Sequence, residues 1–228
     1  MSSLAEELMH ELEAQTVFTI PVFGGIPVAE SVVVTWIIMA VLMLLVLIFT
    51  RDLKVHNISK RQAMLETFVD FVQNLTEGFV GEHGKAFVPY LSTIIIYIAV
   101  ANAFGIFGFK PPTKDLNVTA GLAIMSIVLI EGACIRYKGP KGFLKSFAEP
   151  APVMVPIKIM ELVTRPLSLC MRLFGNILGA FAVMKLAEAA CHAVFPAFCS
   201  IYFDFFDGAI QAYVFVFLTG MFIRESIE

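Results

Sequence analysis

Residues 31–50 read SVVVTWIIMAVLMLLVLIFT, a run without one charged side chain. A transmembrane helix needs about 20 largely apolar residues, because each rises ~1.5 Å and the hydrocarbon core is ~30 Å thick. The run is too long for the apolar core of a cleaved signal. It follows an acidic stretch, Met1-Ser-Ser-Leu-Ala-Glu-Glu-Leu-Met-His-Glu-Leu-Glu13, where a signal or transit peptide would be basic. We therefore expect nothing to be removed. The rest of the composition agrees. Of 228 residues, 58% are hydrophobic and 15% charged, against about 45–50% and about 25% in a soluble domain. So few charges cannot solvate a globular surface, and the mean hydropathy is +0.83. A net charge of −3 leaves no basic footprint for nucleic acid. The chain reads as an integral membrane protein.

Working outward from this first span (30–50), charge-free or nearly charge-free runs predict further spans at 86–109 and 116–137, the latter interrupted by Glu131. From Ala151 onward the pattern changes. Apolar residues still dominate, but Lys158, Glu161, Arg165, Arg172, Lys185, Glu188, Asp204 and Asp207 are set among them. Two long helices, 153–190 and 194–225, broken near Ala193–Pro196, fit this segment. The expected fold is thus an all-α integral membrane protein, one membrane domain over 1–228 with about five crossing helices. Basic residues flank the first span (Arg51, Lys54, Lys60, Arg61) and the third (Arg136, Lys138, Lys141, Lys145). By the positive-inside rule both ends are cytoplasmic. The N-terminal segment 1–28 and the Lys110-Pro-Pro-Thr-Lys-Asp loop then lie outside, and the C-terminus inside.

Between the first two spans, Ser59-Lys-Arg-Gln62 has the form of a capping box. Met64, Leu65, Phe68, Val69, Val72 and Leu75 follow at helical spacing, opposite Glu66, Asp70, Asn74 and Glu77. Residues 59–80 therefore predict an amphipathic helix at the interface or against the bundle. The four cysteines (134, 170, 191, 199) lie in apolar segments without a CxxC pair, and the four histidines are scattered. Neither set predicts a metal site, and no cofactor is expected. Asn57-Ile-Ser and Asn117-Val-Thr match the glycosylation pattern by chance. There is no internal repeat of the kind that builds secondary transporters.

A charge within a bilayer costs several kcal/mol and must face protein or water. On a helix, residues i, i+4, i+7 and i+11 share a face. Glu161, Arg165, Ser168 and Arg172 have that spacing, and Asn176 continues the stripe beside Gly175 and Gly179, small residues that admit a close neighbour. In the last helix Asp204, Asp207, Gly208 and Gln211 repeat the pattern. The two polar faces suggest a shared aqueous path or a mutual seam. Ion pairing of Glu161 with Arg165, and of Arg172 with Asp204 or Asp207, is the structural alternative. Arg172 stays protonated in any setting, so a permanent cation between small residues suits something that approaches and leaves.

Pro166-Leu-Ser-Leu-Cys-Met-Arg172-Leu-Phe-Gly-Asn176 resembles the signature of subunit a of F-type ATP synthases. Pro112-Thr-Lys-Asp-Leu-Asn-Val-Thr, Pro156-Ile-Lys-Ile-Met-Glu161 and Ile210-Gln211-Ala-Tyr-Val-Phe resemble three other stretches of that family, and together they cover about residues 30–228. The resemblance implies two long tilted helices forming a hairpin against a ring of c subunits, with subunit b of the peripheral stalk and the rest of the synthase as partners. It implies that Arg172 is the essential stator arginine, which discharges ring carboxylates and blocks a leak between two aqueous half-channels, and that ion flow then drives rotation. It also implies that Gln211 faces that arginine, that Asn176 matches the asparagine four residues on, and that the chain has no nucleotide chemistry of its own. Ser168, Glu161, Glu131, Asp204 and Asp207 complete the expected ion pathway. A bacterial plasma membrane is the expected site, ahead of an organelle inner or thylakoid membrane.

One position departs from the family. Nine residues after the arginine, where a Glu or His is usual, this chain has Phe181, while its usual partner position keeps an acid, Asp204, with Asp207 as an extra carboxylate. The pathway then runs through Asp204 and Asp207, by water past Phe181, or by Glu131. Two other readings compete: a stand-alone small channel or transporter using the same helices, and an intramembrane enzyme using His192, Asp204 and Asp207. The enzyme reading lacks a metal or nucleophile cluster.

Overall fold

The computed structural model describes residues 16–20, 26–51, 54, 59–107, 111–148, 155–190 and 201–227. A short antiparallel pair, β1 (Thr16–Ile20) and β2 (Ile26–Ala29), leads into α1 (Glu30–Thr50). There follow α2 (Lys60–Val80), α3 (Val88–Ala103), α4 (Leu116–Ala148), α5 (Val155–Ala190) and α6 (Gly208–Ile227). Short 3₁₀ turns join them at Glu82–Phe87, Phe104–Phe107 and Pro112–Lys114, and a π-helical stretch, Ile201–Asp207, runs into α6. Five helical segments are long and apolar enough to cross a membrane: Glu30–Thr50, Glu82–Ala103, Leu116–Gly139, Val155–Leu186 and Phe205–Ile227. The molecule is an all-α integral membrane protein.

Several local features differ from the sequence expectation. The strand pair was not anticipated, although Thr16-Val-Phe-Thr-Ile20 is rich in β-branched and aromatic residues. Helix α4 carries the expected third span to Gly139, two residues past 137. It bends at Gly139, whose φ of +74° is open to glycine, and helical turns continue to Ala148. The last helix is α-helical only from Gly208, and the break placed near 193–196 lies outside the described residues. Only half of the capping box forms. Ser59 Oγ accepts from the Gln62 N–H at 3.3 Å, but the Gln62 side chain turns to Lys54, bonding its N–H and its carbonyl at 3.0 Å each. A primary amide carries a donor and an acceptor side by side, and a backbone amide offers the matching pair.

The core lies between α3, α4 and α6. Leu91, Ile94 and Ile98 from α3, Leu122, Ala123, Ile130 and Ala133 from α4, and Ala212, Phe215, Val216 and Ile223 from α6 form one buried cluster. The C-terminal turn of α2 joins it through Phe79 and Val80, and α5 through Leu169, Cys170 and Leu173. Phe79 packs edge-on against Tyr213 and Phe217 at 5.3 and 5.2 Å. The approach of α2 to α6 depends on Gly220, since a Cβ there would stand 2.8 Å from the Cβ of Phe79. Helix α1 is peripheral. Its Ile38 is buried, but Met43 through Phe49 are exposed, an apolar surface suited to lipid.

Contacts at the two ends fix how the helices alternate. At one end Ser31 at the start of α1 donates to Asp115 before α4, and Asn102 near the end of α3 reaches Gly208 at the start of α6. At the other, Ser226 in the last turn of α6 donates to the Ile130 carbonyl of α4 at 3.4 Å, and Arg165 of α5 meets Glu225 of α6. Sequential spans therefore run antiparallel.

Candidate functional site

Helix α5 carries the polar stripe, and the structure resolves it into two zones. In the first, Nη2 of Arg165 donates to Glu161 Oε2 at 3.1 Å and to the two Glu225 oxygens at 3.0 and 3.1 Å. The Phe222 ring covers its guanidinium at 4.7 Å. Lys158 Nζ lies 3.8 Å from the same Glu161 oxygen. The expected Glu161–Arg165 pair is present, then, but it belongs to a network that crosses to α6. Glu131 of α4, Glu161, Arg165 and Glu225 line one cavity of about 80 Å³ with Lys138 and Lys158, large enough for several waters. The isolated acid of the third span and the stripe of the fourth thus meet. Sequence reasoning had no means of adding Glu225, because its partner lies 60 residues earlier in the chain.

The second zone begins one further turn along. Arg172 is half-buried and has neither a hydrogen bond nor an ion pair among the described residues. Its expected pairing with Asp207 does not form, and the Asp204 side chain lies outside what is described. Ser168, Gly175, Asn176 and Gly179 around it are exposed, and a Cβ added at Gly175 or Gly179 would meet nothing within 4 Å. The small-residue face is open, as a surface awaiting a neighbour would be. Pro166 sits inside the helix between the two zones and removes one backbone hydrogen bond there.

On the last helix, Gln211 Nε2 donates to Asp207 Oδ1 at 3.4 Å, and Gln211 Oε1 is buried without a donor. No hydrogen bond joins Gln211 to Arg172. The stripe Asp204–Asp207–Gly208–Gln211 rested on α-helical spacing, but residues 201–207 form wider π-helical turns, in which i and i+3 no longer stack. Among the described residues the polar face is Asp207, Gly208 and Gln211. Phe181 is met by cations. Lys114 Nζ stands 3.5 Å from its ring centroid and Lys185 Nζ 5.8 Å, within the range of a cation–π contact. Both lysines are visible in the sequence, yet only the fold brings Lys114, from the turn before α4, onto α5.

Fold and site together define a polytopic α-helical membrane protein with ionised groups on its interior helices. The family described as ATP synthase A chain matches residues 32–224. The chain is 35% identical to the ATP synthase subunit a of Moorella thermoacetica over 90% of its own length and 94% of that protein's. It is 36% identical to that of Trichlorobacter lovleyi over 88% of each chain. It is 30% identical to the sodium ion specific ATP synthase subunit a of Propionigenium modestum over 97% of this chain and 81% of that one. The chain belongs to the ATP synthase subunit a family.

Proposed function

We propose that this chain is the ion-translocating stator subunit of an F-type ATP synthase in a bacterial plasma membrane. Its partners are then a c-ring, subunit b of the peripheral stalk and the remaining synthase subunits. One observation carries the reading: Arg172, within a membrane-spanning helix, has no hydrogen bond or ion pair among the described residues and stands beside an open face of small residues. An isolated cation at that depth is costly, so its partner comes from outside the chain, and a ring carboxylate supplies the complementary charge. A fixed guanidinium favours the charged, ion-free form of a carboxylate brought beside it. It also repels any cation that would pass directly from one side to the other. Each ion must then ride the ring. The cavity lined by Glu131, Glu161, Arg165 and Glu225 supports a water-filled approach at the end that carries Lys138 and Lys158. At the opposite end, Asp207 and Gln211 are the groups fitted to an approach from outside, with Asp204 and Asn176 assigned to the same path and Ser168 to the Arg165 side of Arg172. The ion is H⁺ or Na⁺, the second being what the Propionigenium modestum relative is named for.

Substitution of Arg172 tests this. Arg172→Ala removes the charge, and ion-driven ATP synthesis is expected to vanish while ATP hydrolysis by the soluble head persists. Arg172→Lys keeps a charge without the delocalised, always-ionised guanidinium, and synthesis is expected to fail again. Near-normal ATP synthesis in membranes carrying Arg172→Ala would overturn the reading. A stand-alone channel, by contrast, would not co-purify with a ring of small hairpin proteins and an ATPase head.

A further inference from the structure

Three elements meet where α3 ends and α6 begins. Asn102, buried in the last turn of α3, donates from Nδ2 to the Gly208 carbonyl at 3.0 Å and accepts at Oδ1 from the Thr113 hydroxyl at 2.7 Å. Thr113 is fully buried in the turn before α4. A Cβ on residue 208 would fall 2.7 Å from the Asn102 Cβ, so the amide reaches this carbonyl only because the position is glycine. Gly208 is also the first α-helical residue after the π-helical stretch 201–207. A change of helical repeat shifts the angular position of every side chain beyond it, and the side-chain bond falls at that junction. Asp207 precedes it directly. Gln211 follows within one turn, bonded to Asp207 and with its own carbonyl oxygen buried and unmet.

We propose that Asn102 is a positioning residue for the ion pathway: through the Gly208 carbonyl it fixes the rotational phase of α6, and so the aim of Asp207 and Gln211. The inference rests on the pathway role given to those two residues. Asparagine is suited to the task because one amide gives a donor to α6 and an acceptor to the 112–114 turn. Aspartate of the same shape keeps the acceptor and loses the donor. Setting a carboxylate oxygen against this buried carbonyl in place of an N–H donor corresponds to about tenfold in an equilibrium.

The test uses membranes containing the whole complex with the soluble head stripped. Passive H⁺ flux, and Na⁺ flux in parallel, is measured per assembled chain as a ratio to the parent at each pH. Lys114, Asp115 and Asp207 face this end from the turn and from α6 and are the same in parent and variant, so the ratio isolates residue 102. Asn102→Asp is expected to fall about tenfold or more below the parent at alkaline pH. It should recover on acidification in the same membranes, because the protonated carboxyl regains an O–H donor for Gly208. A residue that served only assembly would change the amount of chain and not this pH profile. Should Asn102→Asp fail to assemble, Thr113 decides: Thr113→Ser is expected to match the parent, and Thr113→Val to lose flux severalfold. A fully assembled Asn102→Asp with a flat, parental ratio overturns the proposal, as do equal, parental fluxes for Thr113→Val and Thr113→Ser. Gln211→Leu is run alongside. Parental flux there overturns the pathway reading itself, whereas loss there with a parental Asn102→Asp overturns only the positioning role.

Discussion

Arg165 and Arg172 lie two turns apart on one helix and solve the same problem in opposite ways. A guanidinium at the centre of a membrane helix costs about 2.5–3.5 kcal/mol even on insertion scales. Arg165 offsets that cost with two carboxylates and a ring face, and it is only 15% exposed. Arg172 has no such partner among the described residues. The stripe of alternating charge in the sequence suggests one role for the whole face; the contacts divide it into a closed half and an open half. The acids of the last helix divide similarly. Asp207→Asn keeps an acceptor for the Gln211 amide and removes only the titratable group. Passive flux per assembled chain is expected to fall severalfold, and the Asp204→Asn/Asp207→Asn double variant to fall close to background. Parental flux in an assembled double variant would place the outer path elsewhere.

Among the elements, α6 is the hub, since α2, α3 and α4 all pack on it and α5 meets it through Arg165 at Phe222 and Glu225. Such packing between membrane helices rests on van der Waals fit and small residues, because lipid supplies no hydrophobic drive for association. Gly220 is the sharpest instance. In Gly220→Ala the new methyl would press on the Cβ of Phe79, which is backbone-proximal and cannot swing away. Overpacking of this kind costs typically ~1–3 kcal/mol. A lower thermal midpoint of the detergent-solubilised complex is expected, and the companion change Phe79→Ala should not restore it, because alanine keeps the Cβ that the new methyl meets. An unchanged midpoint in Gly220→Ala would mean that α2 is held by something other than this contact.

For the whole molecule, the end contacts imply an odd number of crossings. The start of α1, the 112–115 turn and the start of α6 share one end; Arg51, the turn at 81–87, Gly139 and the last turn of α6 share the other. Single cysteines at 10 and 117 are expected to react with an impermeant thiol reagent from outside the cell, and those at 54, 61, 137 and 226 only from the cytoplasmic side. Labelling of residue 226 from outside would break the alternation and, with it, the antiparallel setting of α5 against α6.

Hydropathy alone determined the number and approximate extent of the spans, because a lipid-crossing segment must satisfy its backbone internally and present apolar side chains over a fixed length. Those are properties of consecutive residues. The Arg172 motif was legible for the same reason: a permanent cation among Gly and Asn in an apolar helix is a local anomaly. Contacts between distant segments were not legible. Glu225 on Arg165, Lys114 on Phe181 and Asn102 on Gly208 each join residues 60 or more apart, and no periodicity within a helix encodes which neighbour it will meet. The π-helical turns before Gly208 escaped for a related reason. The acidic and apolar pattern over 201–207 also fits an α-helical repeat, and the wider turns appear only in the folded chain. Which charges find partners among the described residues was therefore decided only when the helices came together.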